Sequence, residues 1–360
     1  GTALTAASAA GVAGVWQGAA PAAADFFQDT ALLAGAAAMP EGTLGALRRQ
    51  LTPSPSSAVT AEISPGITFT DPEPEVTDQK PVRIQPPEIS PEYRGVLISE
   101  TMAGSPSAVC WQIGAGWLRN YTEIPRAQID AELSEPLELA PKADGRVEVL
   151  IMHTHATESF EPYDTDTYDT RHTWRTTDNT QNIVAAGEVM AEAIRSYGIE
   201  VLHDETQHDY PSYNGSYERS AVTVQDYLEK YPSIKVVLDV HRDAVQRDTT
   251  LIKPVTEIDG RKAAQLMIIA GCDDGTMDMP NWSKNFRFAA GMQDAIESRY
   301  PSLTRPVFFC YRKYNQDLTT GSLLIEIGSH GNTLEEVLYT AQLAGDAIGS
   351  YLQGLTAEGE

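Results

Sequence analysis

Cysteine is scarce in this chain: Cys110, Cys272 and Cys310 are the three among 360 residues, with no C-x-x-C between them. That excludes a thiolate zinc site and a disulfide scaffold, leaving room for one bridge at most. Positive charge is scarce too. Lys and Arg total 26 against 50 Asp and Glu, a formal net charge of −24. Binding to polyanions needs clustered Lys and Arg, so nucleic acid is excluded as a bulk-charge partner, and the surface repels copies of itself. The motif H-E-x-x-H is missing, which excludes a thermolysin-like helical metal site. Residues 1–24 carry no charge, but they are mostly Ala and Gly rather than Leu, Ile or Phe, which makes a weak membrane span. No internal repeat is visible.

What is abundant is unevenly spread. The first 40 residues hold 16 alanines, and residues 40–106 hold 11 of the 22 prolines. Such a stretch cannot bury enough apolar area to offset its ordering entropy. Residues 1–92 are therefore expected to be a low-complexity Ala- and Pro-rich tether. Because the sequence starts at Gly1, an N-terminal anchor or signal upstream of it is an expectation. Residues 93–144 read as a small β lead-in, with short strands at Val109–Ile113 and Gly116–Asn120.

Over residues 145–354 strand and helix alternate regularly. Strands are expected at Val147–Met152, Ile199–Leu202, Ile234–Val240, Ala264–Ala270, Pro306–Tyr311 and Ser322–Ile327, as short runs of apolar and β-branched residues. Helices are expected at Thr180–Tyr197, Tyr217–Lys230, Asn281–Arg299 and Thr333–Leu352; the first places Ile183, Ala186, Met190 and Ile194 on one face before the stop at Gly198. The pattern predicts an α/β fold, a mostly parallel sheet with helices on both faces, with its chemistry at the carboxyl ends of the strands.

All seven histidines lie after residue 150, and three clusters fall where predicted strands end: His153-Thr154-His155 with Glu158, Asp239-Val240-His241-Arg242-Asp243, and Glu326 through His330. Imidazoles with carboxylates and no thiolates describe a hydrolytic zinc site with an open coordination position. Zinc would bring the pKa of its bound water down to about 7, and a nearby carboxylate would take the proton as an amide carbonyl is attacked. Arg242 would polarise or bind a substrate carbonyl or carboxylate, or pair with Asp239 or Asp243. His208 would line the groove, or sit on a surface loop. Tyr213 and Asn214 have side chains that would hydrogen-bond sugar or peptide, although Asn214-Gly215 is also turn chemistry.

The segments HTHATESF (153–160), TTDNTQNIVAAG (176–187), HDETQHDYPSYNGSYERS (203–220), LDVHRDA (238–244), YNQDL (314–318) and LLIEIGSHGNT (323–333) together resemble the stage II sporulation protein P family. These are peptidoglycan hydrolases of sporulation engulfment, related to zinc-dependent N-acetylmuramoyl-L-alanine amidases. The resemblance covers residues 93–352. It implies a zinc amidase that also cuts stem-peptide cross-links as an endopeptidase, and an extracytoplasmic location with a membrane anchor N-terminal to this chain. The partners it implies are stage II sporulation proteins D and M. The related amidases place a ligand His after the first strand, which is His153 or, with the better offset, His155; His241 matches a second ligand His, and Glu326 the catalytic glutamate ending the last strand. Their carboxylate ligand stands four residues before a helix-starting Asn. Asp178 stands at that spacing from Asn182, with a helix cap as its other reading and Glu158 as a rival ligand. A catalytically silent wall-binding scaffold on the same fold is the competing expectation, favoured by Asp178 standing where the amidases have Glu.

Overall fold

A computed structural model describes residues 86–357, so almost all of the expected tether lies outside the described residues. In chain order the elements are β1 (Arg94–Glu100), β2 (Cys110–Ile113), β3 (Gly116–Asn120), α1 (Arg126–Ser134), β4 (Val147–Met152), β5 (Thr167–Asp169), α2 (Ile183–Arg195), β6 (Glu200–His203) and α3 (Ser216–Lys230). They continue with β7 (Val236–Asp243), β8 (Gln246–Arg247), β9 (Thr250–Ile258), β10 (Arg261–Ala264), β11 (Leu266–Gly271), α4 (Trp282–Arg299), β12 (Val307–Cys310), β13 (Ser322–Ser329) and α5 (Leu334–Ala357).

The main sheet has eight strands in the order β2-β3-β12-β11-β13-β7-β4-β6. Within it β6, β4, β7 and β13 are mutually parallel, β11 runs antiparallel to β13, and β12 and β3 run parallel to β11. The near-continuous apolar runs of β4 and β7 require cover on both faces, and they have it. On one face Val149, Ile151, Val236, Leu238, Val240, Leu323, Ile325 and Ile327 join the principal core with α2, α4 and α5. On the other, Leu150, Met152 and Val237 pack with Val224 of α3.

Strand periodicity thereby assigns each polar residue a side. Residues 149, 151 and 153 alternate toward α2, whereas 239 and 241 of β7 and 326 of β13 fall on the α3 face. The parallel register seats Glu326 beside His241. The three strands whose ends carry the histidine clusters are adjacent in the sheet, as the sequence predicts.

Residues 93–144 do not stand ahead of the sheet as a module of their own. The hairpin β2-β3 extends the main sheet next to β12, and β1 lies inside a second, five-stranded sheet, β10-β9-β1-β5 with β8 on β9. The second sheet is fastened to the end of β13, where Ser329 Oγ donates to the Ile252 carbonyl (2.8 Å) and Asn332 Nδ2 to that of Pro254 (3.1 Å).

Helix α2 starts at Asn182, whose side chain accepts from the Val184 amide at 2.9 Å, so Asn182 rather than Asp178 is the cap. Its Gly187 is set by close approach: a Cβ there would stand 2.5 Å from His153 Nε2 and 2.6 Å from His203 Nε2. Gly187→Ala is expected to cost about 1–3 kcal/mol through overpacking, exceeding the roughly 1 kcal/mol that Ala contributes by helix propensity. Gly354→Ala in α5, where a Cβ meets nothing, is the matched control. Thermal unfolding should show a lowered midpoint for the first only; equal midpoints would refute the packing argument.

Candidate active site

The chain leaves β4 at Met152 and turns at once, so His155 and Glu158 reach the α3 face from the loop while His153 keeps the strand's alternation and points the other way. His155, Glu158 and His241 are all buried, and each offers a ligand atom within 4.8 Å of the others. His155 Nδ1 lies 3.6 Å from Glu158 Oε1, and His241 Nδ1 lies 3.5 Å from Glu158 Oε2. These separations are long for hydrogen bonds and close to the roughly 3.4 Å between two ligands at 2.0–2.1 Å from a tetrahedral zinc.

The far nitrogens of both rings face polar side chains. Ser216 Oγ lies 3.1 Å from His155 Nε2. Asp239 Oδ1 lies 2.8 Å from His241 Nε2, off the axis needed for a hydrogen bond. Asp239 is fixed in turn by the amide and hydroxyl of Thr154 (2.8 and 2.7 Å). Carboxylate and hydroxyl partners behind the imidazoles are what metal-binding histidines need to hold tautomer and ring orientation. The donor set therefore fits a divalent ion of the zinc type.

Electrostatics around the cluster are strong. Burial opposes charge on Glu158, but the Arg242 charge and the attraction of the neighbouring His155 and His241 imidazoles outweigh it and hold the carboxyl well below its ordinary range. Burial likewise opposes a proton on His241, and Asp239 and Glu158 override it, raising that imidazole well above its usual value. For His155 burial prevails and lowers the pKa. Glu326 behaves oppositely to Glu158. Burial, reinforced by the nearby Asp243 carboxylate, pushes it up to about 8, with His241 and Arg305 opposing. One of its oxygens, Oε2, is buried with no protein partner. A carboxyl poised to exchange a proton near neutrality, beside a ligand-type histidine, has the character of a general acid–base group.

Several expected site residues lie elsewhere. His153 is a correction: fully buried on the α2 face, it bonds the Val240 carbonyl through Nδ1 (2.7 Å) and His203 Nε2 through Nε2 (2.9 Å), and burial lowers its pKa to about 3. Asp178 is exposed, and its Oδ1 accepts from the Thr180 amide and hydroxyl (3.0 and 2.7 Å). The buried carboxylate in the cluster is Glu158. Arg242 is buried and forms neither ion pair expected of it. Its guanidinium donates to the carbonyls of Ser159, Trp174 and Asp243, tying down the strap that follows Glu158. Asp243 pairs instead with Arg305 at 2.6 Å. His208 is also buried, bridging the His153 carbonyl (3.0 Å) and Thr223 Oγ1 (2.9 Å).

Tyr213 does border the site. Its ring stacks on His155 with centroids 4.6 Å apart, and 42% of it is exposed. Asn214 is exposed beside it, in a loop pinned by Arg219, which donates to the carbonyls of His208, Ser212 and Asn214. Sequence reasoning missed Tyr217, edge-on to His155 and stacked over His241. It also missed Arg175, which bridges Asp209 (2.8 Å) and Glu158 (3.6 Å) and lies over the Tyr213 ring. Tyr217 sits within the same 203–220 block as Tyr213 and Asn214, which is the signal the sequence offers for it.

A profile of the stage II sporulation protein P family matches residues 119–349, more than half of the chain. Stage II sporulation protein P of Bacillus subtilis (strain 168) is 28% identical over 244 residues, covering 64% of this chain and 57% of that protein, so the match spans little more than half of that relative. Among solved structures, the N-acetylmuramyl-L-alanine amidase Ami1 of Mycobacterium abscessus aligns at 14% identity and TM-score 0.34, over 59% of this chain and all of its own. The CwlD amidase of Clostridioides difficile aligns at 12% and 0.35, over 57% and 98%. The profile runs from the end of β3 through most of α5, including every residue of the His155, Glu158, His241 and Glu326 constellation, and the chain belongs to the stage II sporulation protein P family.

Proposed function

We propose that this chain is a peptidoglycan hydrolase that cleaves the amide between the lactyl group of muramic acid and L-alanine of the stem peptide, acting in sporulation. The observation that carries this is the seating of Glu326 beside His241 on the same sheet face as the buried His155, Glu158 and His241 cluster. His155, Glu158 and His241 would hold zinc, which when bound supplies Lewis acidity and a water acidic enough to attack an amide. Glu326 takes the proton from the attacking water and returns it to the leaving amine. Its raised pKa suits both transfers. Tyr213 and Tyr217 flank His155 and present aromatic faces to the substrate.

The same nucleophile serves any amide held before it, and on that basis the proposal extends to stem-peptide cross-links. It also extends to an extracytoplasmic, membrane-anchored setting with stage II sporulation proteins D and M as partners, which rests on family membership alone. The silent-scaffold alternative drew on Asp178 as a deficient ligand; Glu158 in the cluster removes that support. Mass spectrometry of purified sacculi digested by the chain should show free stem peptides beginning at L-alanine, with release lost on chelation and restored by zinc. Products that all retain muramic acid, or digestion indifferent to chelation, would overturn this reading.

A further inference from the structure

Attack on an amide puts negative charge on the former carbonyl oxygen, and a hydrogen-bond donor already aimed at that oxygen stabilises the charge most where water is excluded. Several side-chain donors around the His155, Glu158 and His241 cluster already have acceptors. Arg242 donates to the carbonyls of Ser159, Trp174 and Asp243, Arg175 is engaged by Asp209 and Glu158, and Thr154 donates to Asp239. Tyr217 differs. Its side chain is half-buried, and among the described residues its hydroxyl has no hydrogen-bond partner.

Tyr217 stands in the first turn of α3, against both imidazoles of the cluster. Its ring plane lies 11° from that of His241 with centroids 6.5 Å apart, and it meets His155 edge-on at 5.5 Å, while His155 and His241 are themselves edge-on at 5.0 Å. Burial, then Asp239, Tyr314, Glu326 and Glu158, raise its phenol well above the ordinary value. At neutral pH it is therefore a donor, within electrostatic reach of both the ligand cluster and the acid–base glutamate. Tyr213 also lies against His155, but 42% of it is exposed, where competing water weakens a hydrogen bond.

The start of α3 is fixed from behind. Asn315 Nδ2 donates to the Tyr217 carbonyl (2.9 Å) and to Ser220 Oγ (3.1 Å), and the Tyr314 ring packs on that of Tyr217 at 5.5 Å. Tyr314 and Asn315 both have left-handed backbones, with φ of 46° and 55°, which is uncommon for tyrosine and persists where the surroundings enforce it. Gln316 supplies that enforcement, accepting from the Gly271 amide (2.9 Å) and donating to the Ile269 carbonyl (3.0 Å). A donor fixed in this way needs no reorganisation as charge develops.

We propose that Tyr217 is a catalytic residue whose hydroxyl donates a hydrogen bond to the amide oxygen as that oxygen gains charge in the tetrahedral transition state. The role rests on the hydrolase reading and supplies a donor which that reading leaves unnamed. As the water oxygen bonds to the carbonyl carbon, the carbonyl electron pair moves onto oxygen, and it returns when the C–N bond breaks. Glu326 carries the proton from the water to the leaving amine, and the phenolic proton stays on Tyr217 throughout.

Tyr217→Phe removes the hydroxyl and keeps the ring. On the zinc-loaded chain it is expected to lower kcat for cleavage of a synthetic muropeptide by about 10²-fold, the lower end of what one oxyanion donor contributes, with KM, zinc affinity and unfolding midpoint unchanged. Equilibrium binding gives a readout that a structural role would not move. A phosphinate with tetrahedral phosphorus in place of the scissile carbonyl carbon should bind Tyr217→Phe more weakly than wild type by a similar factor. The intact muropeptide should bind Glu326→Gln equally well with and without Tyr217→Phe. A loss residing in KM or in zinc content, a phosphinate held equally by wild type and variant, or a larger kcat loss in Tyr213→Phe would overturn the proposal. Hydrolysis that Tyr217→Phe leaves undiminished sinks this inference alone, whereas a wild type that cleaves no muropeptide sinks the hydrolase reading and the inference with it.

Discussion

Glu326→Gln is expected to lower kcat for stem-peptide release by about 10²–10⁴, the usual contribution of a positioned acid–base group, with little change in KM. The variant keeps the shape of the side chain and removes its ability to hold a proton and give it back. A second consequence separates this role from a structural one. In the metal-free protein Glu326 has its pKa raised to about 8 by burial and by Asp243, whereas the unfolded chain titrates it near 4.3. The folded state therefore binds the extra proton between those values. The stability this contributes is fully present below the unfolded pKa and is lost as pH rises through about 8. Glutamine cannot ionise, so the metal-free variant should overtake the wild type in stability at pH 9 and show a flatter profile. Urea unfolding at pH 6 and pH 9 in chelator checks it; parallel profiles would contradict a buried, raised carboxyl.

The second large effect concerns metal retention. Glu158→Gln and His241→Ala each remove a member of the buried cluster and should weaken zinc binding by more than the 10–100-fold typical of losing an outer partner. Asp239→Asn, one step behind His241, should fall within that 10–100-fold range. Asp178→Ala, whose carboxylate binds Thr180 in an exposed turn, should change neither zinc content nor turnover. Competition titration against a chromogenic chelator ranks the four. If Asp178→Ala lost zinc as Glu158→Gln does, the ligand set drawn from the geometry would be wrong.

The comparison of Asp178 with Glu158 shows where sequence reasoning stops. The alternation of strand and helix from Val147 onward was legible because β4, β7 and β13 are buried on both faces and read as apolar runs. Their adjacency, and so the convergence of His155, His241 and Glu326, followed from the chemistry at their ends. The choice between His153 and His155 was also within reach. Val149 and Ile151 alternate onto the face that α2 covers, and His153 continues their phase, away from the face where His241 lies. Which carboxylate completes the cluster was not legible, since it depends on how the loop from His155 to Asn182 folds back. That loop is set by Arg242 reaching across to Ser159 and Trp174, contacts between residues far apart in the chain.

The second sheet was missed for a local reason. Strand β9 carries Lys253 and Pro254 in its middle, and both argue against a buried strand. The lysine is nonetheless buried because Asp164 and Glu336 pair with its ammonium, partners that no window of sequence contains. Arg242 and His208 misled in the same way. A polar residue at a strand end and another in a turn looked like substrate contacts, but their hydrogen bonds are taken up by backbone carbonyls and Thr223.

The most direct test of the whole account is anomalous diffraction at the zinc edge from crystals of the zinc-loaded chain. A peak is expected between His155 Nδ1, His241 Nδ1 and the Glu158 carboxylate, within reach of Glu326 through a single water molecule. A peak seated at His153 and His203, or at Asp178, or no ordered zinc at the cluster, would contradict it.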